Sequence, residues 1–181
     1  MVDLTNMTAM VTGAGGGLGR EISKAFSRLG AGVALFSMVR DELEAVAAEL
    51  RERRSAFIIC AGDVSQAHDV ASAVADTVNR FGDIDILINN AGIIGPARFL
   101  EDTTPEQWEK TLAVNLTGSY LFIREVIPYM IKQGGGTIIN IVSGLGQMPF
   151  PRLCAYSVSK AGLIQLTRSL SEELKPLNIR V

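Results

Sequence analysis

Short, almost wholly apolar segments alternate with helical patterns along the chain, and this alternation restricts the possible fold more than any other feature. Examples are Ile84-Asp85-Ile86-Leu87-Ile88 and Thr137-Ile138-Ile139-Asn140-Ile141-Val142. A strand without regular polar alternation is buried on both faces, which is typical of parallel sheets covered by helices. The predicted strands are 7–12, 33–37, 56–60, 84–89 and 137–143.

Helical patterns fill the gaps between these strands. The fourth has a clear start, with Thr104 as N-cap, Pro105 in the first turn and Gln107 completing a capping box. We expect Pro128 to kink or end this helix, and Pro176 to stop the last one. The predicted helices are 18–29, 40–54, 66–80, 105–131 and 153–175.

Repeated βα units of this kind predict an α/β fold, a three-layer, doubly wound parallel sheet of the Rossmann-like type. The length of 181 residues suits a single domain, and no linker, repeat or low-complexity tract divides residues 1–181. The last residues, Asn178-Ile179-Arg180-Val181, look like the opening of a sixth strand, so we expect the domain to be truncated at its C-terminus.

Composition and charge exclude several classes of function. A net charge of −2 provides no attraction to nucleic acid or to anionic membranes. No apolar run is long enough to span a bilayer, and the start lacks a secretory signal. Cys60 and Cys154 are distant in sequence, which suits a reducing, cytoplasmic location. Because His68 is the only histidine, we expect neither a histidine metal site nor a Ser-His-Asp triad.

A glycine-rich turn, Thr12-Gly13-Ala14-Gly15-Gly16-Gly17-Leu18-Gly19, joins the first predicted strand to the first helix. Glycine allows positive φ angles and lets a pyrophosphate approach the backbone closely. The helix N-terminus adds unpaired N–H groups and a partial positive charge. A merely flexible loop is the alternative, but the strand-to-helix position favours nucleotide binding. The spacing, Gly-x-x-x-Gly-x-Gly, differs from the common Gly-x-Gly-x-x-Gly fingerprint.

A tyrosine and a lysine stand four residues apart in Tyr156-Ser157-Val158-Ser159-Lys160, thirteen residues after Ser143. On a helix, this spacing puts both side chains on one face. A cation beside a phenol favours the phenolate, which can exchange a proton with an alcohol or carbonyl oxygen. Taken alone, a tyrosine and a lysine at this spacing usually belong to an ordinary amphipathic face.

Four motifs in order resemble the classical short-chain dehydrogenase/reductase (SDR) family over about residues 7–181. They are Thr-Gly-x-x-x-Gly-x-Gly at 12–19, Asn89-Asn90-Ala91-Gly92, Ser143, and Tyr156-x-x-x-Lys160. The resemblance implies an NAD(P)-dependent oxidoreductase that interconverts an alcohol and a ketone or aldehyde by hydride transfer. It also implies a small-molecule substrate, and a homodimer or homotetramer joined through the fourth and fifth predicted helices.

The resemblance assigns coenzyme contacts to three parts of the sequence. The turn would hold the pyrophosphate through Gly13, Gly15, Gly16, Gly17, Leu18 and Gly19. Asp63 and Val64 would hold the adenine, although a turn or N-cap role for Asp63 is a compatible alternative. Asn90, Ala91 and Gly92 would line the ribose and stabilise the central strands.

The choice between NAD and NADP depends on the residues that follow the second predicted strand. An acidic residue there would bind the adenosine ribose 2′-hydroxyl, and a basic one would suit a 2′-phosphate. The sequence is Ser37-Met38-Val39-Arg40, with no carboxylate before Asp41. Ser37 occupies the position where the family often has the NAD-selecting Asp. Because Arg40 is a candidate ligand for the phosphate, the pattern favours NADP.

The resemblance implies a catalytic set of four residues: Asn115, Ser143, Tyr156 and Lys160. Tyr156 would be the general acid/base, and Lys160 would support it. Both would also contact the coenzyme, Lys160 by binding the nicotinamide ribose. Ser143 would hydrogen-bond the substrate oxygen, and Asn115 would hold a water that links Lys160 to solvent. A locally satisfied buried amide is the alternative for Asn115, and a turn-closing hydroxyl is the alternative for Ser143.

Two other interpretations compete with the oxidoreductase. Family members continue through further strands and a substrate lid, so a shortened chain is also compatible with a non-catalytic nucleotide-binding homologue. A sugar-nucleotide epimerase of the extended branch fits less well because its glycine-rich motif is usually spaced differently.

Overall fold

Six parallel strands form one sheet in the order β3-β2-β1-β4-β5-β6 in the computed structural model, which describes residues 2–52 and 55–181. The predicted α/β, doubly wound fold is therefore confirmed. The strands are β1 (Thr8–Thr12), β2 (Gly32–Ser37), β3 (Phe57–Ala61), β4 (Ile86–Asn89), β5 (Gly136–Asn140) and β6 (Ile179–Arg180). The helices are α1 (Gly17–Arg28), α2 (Arg40–Glu52), α3 (Ala67–Phe81), α4 (Pro105–Leu112), α5 (Gly118–Gln133) and α6 (Cys154–Leu174).

Side chains of the central strands alternate between two apolar layers, as the twofold period of a strand requires. Met10 of β1 packs in one layer with residues of α3, α5 and α6, including Val74 and Phe122. Its neighbours Ala9 and Val11 pack in the other layer against α2. The sheet thus lies between two helical layers, which explains why its central strands lack polar alternation. β5 is an exception, since Ile139 remains 41% exposed.

The predicted helix 105–131 is divided in the structure. α4 ends at Leu112, residues Ala113–Thr117 form a π-helical turn, and α5 continues to Gln133. The prediction that Pro128 could end this helix is wrong, because α5 extends five residues beyond it. Val126 and Met130, on either side of the proline, are fully buried, so packing on the core holds this last stretch helical.

Other predicted boundaries differ at the ends of elements. The capping box of Thr104 and Gln107 is present as predicted. The fifth strand ends at Asn140 rather than at residue 143, and the sixth pairs with it through Ile179 and Arg180. Residues 53 and 54 of the predicted helix 40–54 lie outside the described residues. Within the described parts of the chain, no helix is both long and apolar enough to cross a membrane.

Strand order reverses between β1 and β4, and a single buried hydroxyl joins their carboxyl ends. Thr12 Oγ1 accepts hydrogen bonds from the backbone N–H groups of Asn90 and Ala91, both at 3.0 Å, and donates to the Ile88 carbonyl at 3.3 Å. Thr12 is only 2% exposed, so water cannot replace these bonds. In open α/β sheets, ligands bind in the crevice at such a reversal.

Replacing Thr12 with valine should therefore destabilise the protein although it preserves the shape of the side chain. Two buried N–H groups would lose their acceptor, so we expect the free energy of unfolding to fall by about 2 kcal/mol or more. Urea denaturation followed by circular dichroism measures this change. Thr8→Val is the matched control on the same strand, because Thr8 is a buried residue whose hydroxyl makes no hydrogen bond to the described residues. Equal losses in the two variants would contradict the proposed importance of the Thr12 bonds.

Candidate active site

The glycine-rich turn packs against the end of β4, and its glycines are held there by close contacts. Gly13 has a φ of +64°, a conformation that side chains other than glycine rarely adopt. A Cβ atom at Gly19 would overlap the Gly13 carbonyl oxygen and come 2.6 Å from Asn90 Nδ2. Gly16 and Gly17, by contrast, face open space at the start of α1. The helix N-terminus is therefore accessible to an anionic group.

Beside this turn lies a cavity of about 300 Å³ at the carboxyl ends of the strands. Six residues predicted to bind the coenzyme line it together, although they come from four separate parts of the sequence. They are Gly13, Ser37, Asp63, Val64, Ala91 and Gly92. A larger depression, of about 580 Å³, lies around Gly134, Gly135 and Asn178. That depression contains none of the predicted site residues, so size alone does not identify the site.

The remaining predicted coenzyme residues are not among those that line this cavity. Asn90 Nδ2 donates to the carbonyl oxygens of Thr12, at 2.9 Å, and Gly13, at 3.3 Å. Asn90 thus joins the turn to β4, while Ala91 and Gly92 face the cavity. Leu18, at the start of α1, is 54% exposed.

Asp63 forms a turn as well as lining the cavity. Its Oδ1 accepts hydrogen bonds from the backbone N–H and the hydroxyl of Ser65, both at 2.8 Å. The backbone N–H of Asp63 in turn donates to Asp69 Oδ2 at 2.8 Å. Asp63 therefore has the turn-forming role that the sequence suggested as a compatible alternative. Among the described residues, the second oxygen of the Asp63 carboxylate has no hydrogen-bond partner.

Lys160 is buried beneath the cavity wall formed by Gly92. Its Nζ donates to the Ile141 carbonyl oxygen at 2.7 Å and lies 5.9 Å from the centre of the Tyr156 ring. A Cβ atom at Gly92 would lie 3.6 Å from this Nζ and 3.2 Å from Asn115 Oδ1. Lys160 is 4% exposed, and this burial lowers the pKa of its amine. The helix α6 thus brings the predicted phenol and amine together, as their spacing requires.

Ser143 lies beyond the end of β5, at the start of a short 3₁₀ turn, Gly144–Gly146. Its Oγ accepts from the Leu145 backbone N–H at 3.2 Å, so it closes the turn. A hydroxyl that accepts one hydrogen bond still has its own proton to donate. The turn packs directly on α6, since a Cβ atom at Gly146 would be 2.8 Å from the Lys160 carbonyl carbon.

Asn115 lies in the π-helical turn and is completely buried. Its Oδ1 accepts from the Ile93 N–H at 2.7 Å, and its Nδ2 donates to the Ile93 carbonyl at 2.8 Å and to Ser159 Oγ at 3.0 Å. Ser159 Oγ donates to the Tyr156 carbonyl at 2.7 Å. This side chain therefore connects the loop after β4 to the backbone of α6. The amide is satisfied within the protein, as the alternative interpretation required, and the predicted water-holding role stays a prediction.

Sequence reasoning did not identify several residues of this site. Lys110 and Val114, one turn apart on the predicted helix 105–131, line the cavity with Ile93. Their spacing of four residues could have indicated that they share one face of the helix. Ser159 connects Asn115 to α6, but a serine between Tyr156 and Lys160 has no distinctive sequence pattern. The π-helical turn likewise has no periodicity that a sequence could display.

Comparison with known proteins identifies the family of this arrangement. A family model described as short chain dehydrogenase matches residues 7–181. An uncharacterized oxidoreductase of Thermotoga maritima is 40% identical over 95% of this chain and 67% of its own length.

Solved structures with the same fold include complexes with either coenzyme. A xylitol dehydrogenase bound to NAD⁺ is 34% identical with a TM-score of 0.95, covering 98% of this chain and 68% of that one. A metagenomic short-chain oxidoreductase in complex with NADP is 36% identical with a TM-score of 0.94, covering 98% of this chain and 80% of that one.

The buried amine of Lys160 should make stability depend on pH in the alkaline range. The pKa of Lys160 is lowered in the folded state, so its charged form opposes folding. This penalty is lost as the pH rises from the folded pKa toward the unfolded value of about 10.4. Between about pH 7 and about pH 10, the wild type should therefore gain stability relative to Lys160→Met. The gain has a limit of about 1.4 kcal/mol per pH unit, the value for one proton.

Urea denaturation at both pH values measures this difference. Lys132→Met removes an exposed amine from α5 and is the control, for which we expect no such pH-dependent difference. A Lys160→Met variant whose stability follows that of the wild type at both pH values would show that burial of the amine has no energetic effect.

Proposed function

Because the chain belongs to the short-chain dehydrogenase family, we propose that residues 1–181 act as one dinucleotide-binding unit that transfers a hydride between NAD(P) and a small alcohol or carbonyl compound. One observation carries this proposal. Residues from four parts of the sequence line a single cavity beside Lys160, Asn115 and an open helix N-terminus. The close-packed glycine turn leaves room for a pyrophosphate where a larger side chain would fill it.

The bound nicotinamide would supply or accept the hydride, and the protein would manage position and protons. Tyr156 would donate its hydroxyl proton to the carbonyl oxygen in reduction, and its phenolate would take the proton of the alcohol in oxidation. Ser143, whose hydroxyl proton is not used by the Leu145 contact, would donate a hydrogen bond to the same substrate oxygen. The substrate oxygen would then face two donors.

Lys160 would support this proton transfer from below. Its ammonium uses one N–H to bind the Ile141 carbonyl, which leaves two for the hydroxyls of the nicotinamide ribose. Its buried amine lies 5.9 Å from the centre of the Tyr156 ring, which places a positive charge beside the group that would exchange the proton. Asn115 would hold the loop at Ile93 against α6 and, as the sequence predicts, carry a water toward Lys160.

We further propose a cytoplasmic homodimer or homotetramer that associates through α4, α5 and α6. Exposed large apolar side chains on two of these helices support this choice of subunit interface. They are Tyr120, Ile131 and Val158, each more than 40% exposed. Covering such side chains in a second copy would remove apolar area from water.

Tyr156→Phe should abolish most activity and weaken coenzyme binding far less, because the variant removes one hydroxyl and leaves the other predicted coenzyme contacts in place. Removing a general acid/base typically lowers kcat by about 10²–10⁴-fold. The change in absorbance of NADH and NADPH, measured with a panel of ketones and aldehydes, reports turnover. Tyr129→Phe is the matched control. It removes a hydroxyl from a ring that packs against the core, and we expect unchanged turnover.

The same measurements separate the competing hypotheses. Full activity of Tyr156→Phe would contradict the assigned mechanism. Binding of a coenzyme without turnover of any substrate in the panel would favour a non-catalytic nucleotide-binding protein instead.

A further inference from the structure

The carboxylate of Glu42 lies against the glycine-rich turn. A Cβ atom built at Gly15 would come 2.8 Å from Glu42 Oε2 and 2.8 Å from its Cβ. The same position is 3.4 Å from Ser37 Oγ. A carboxylate and a hydroxyl therefore converge on the backbone of Gly15, and only glycine leaves room for both.

This position is where a dinucleotide fold distinguishes its coenzymes. The turn after β1 and the end of β2 flank the adenosine ribose, and an acidic side chain there accepts hydrogen bonds from the ribose hydroxyls. The sequence has no carboxylate from Ser37 to Arg40. The first turn of α2 supplies one instead, because Glu42 reaches back to Gly15.

The arginine that favoured NADP in the sequence points elsewhere. Arg40 and Glu42 are two residues apart on α2, so their side chains project about 200° apart around the helix axis. The Arg40 guanidinium lies 3.9 Å from Glu44 Oε1 and is 66% exposed. Neither Arg40 nor Glu42 lines the coenzyme cavity itself, but Glu42 contacts the glycine-rich turn beside the cavity, whereas the Arg40 guanidinium is paired with Glu44.

Other cations near this edge have partners of their own or lie on another wall. Arg20 pairs with Glu49, and Lys24 lies 2.9 Å from the same carboxylate. Lys110 lines the cavity, but from α4, together with Ile93 and Val114. Among the described residues, Glu42 itself has no salt-bridge partner within 4 Å, so its carboxylate faces the turn without a cation beside it.

We propose that Glu42 makes the coenzyme site selective for NAD over NADP. Its carboxylate accepts hydrogen bonds from the adenosine ribose hydroxyls, with Ser37 Oγ beside it, and it repels a 2′-phosphate. The proposal rests on the proposed function, since it requires that the cavity bind a nicotinamide dinucleotide. It replaces the preference for NADP that Arg40 alone would give.

Glu42 also has an ordinary explanation, which the experiment must separate. Acidic residues in the first turn of a helix stabilise its N-terminus, and Asp41 stands in the same turn with the same charge. Asp41→Asn is therefore a matched control for Glu42→Gln. Loss of helix stabilisation would affect both variants and both coenzymes alike, whereas loss of selectivity would be confined to Glu42.

Isothermal titration calorimetry of the full chain with NAD⁺ and NADP⁺ measures the two dissociation constants without any need for turnover. We expect wild type to bind NAD⁺ at least about tenfold more tightly, the equivalent of one charge-assisted hydrogen bond. Glu42→Gln should reduce this ratio by about tenfold, whereas Asp41→Asn should leave it within about twofold. Thermal melts check that each variant is folded.

A second variant tests the same contact from the other side. In Gly15→Ala, the new methyl group would displace the Glu42 carboxylate, so the ratio should fall there too, whatever happens to the absolute affinities. Preference of the wild type for NADP⁺, or an unchanged ratio in Glu42→Gln, would overturn the role of Glu42 and leave the proposed function standing. Binding of neither coenzyme would overturn both proposals.

Discussion

The hydrogen bonds of Thr12 are the interaction on which the rest of the site depends. A parallel sheet has a crevice where its strand order reverses, but the reversal alone does not fix how the two segments that border the crevice are placed. Here one buried hydroxyl and the Asn90 amide hold the carboxyl ends of β1 and β4 together. The glycine turn leaves β1 at this point, and the segment through Gly92 leaves β4. Both walls of the cavity therefore begin from one fixed junction.

Two buried polar side chains extend this order to the residues predicted to be catalytic. Asn115 joins Ile93 to Ser159, and Lys160 binds the Ile141 carbonyl beyond β5. Together these bonds connect the segments that follow β4 and β5 to α6, the first of them through the π-helical turn. Because unpaired buried polar groups are costly, such bonds specify one arrangement rather than merely adding stability. The groups that would touch a substrate are thus positioned by residues that would not.

The sequence predicted the sheet and its neighbouring helices, because both follow from hydrophobic periodicity. It also predicted that Gly13, Asp63 and Gly92 lie at one edge of the sheet, because each belongs to a motif that follows a strand. It did not predict the π-helical turn, in which packing rather than pattern sets the hydrogen bonding. From the sequence, the choice between NAD and NADP was inferred only from the residues that directly follow β2. The side chain of Glu42 reaches the glycine-rich turn from the first turn of α2, a contact that the sequence does not display.

The unequal crowding of the glycine turn has a consequence for how this sequence can vary. At Gly16 the backbone is extended and a side chain would meet no protein atom, so folding should accept many residues there, although each would enter the space proposed for the pyrophosphate. At Gly19 the neighbouring backbone leaves no volume for even a methyl group. A stretch that looks uniform in composition therefore contains both permissive and intolerant positions, and counting glycines would not distinguish them.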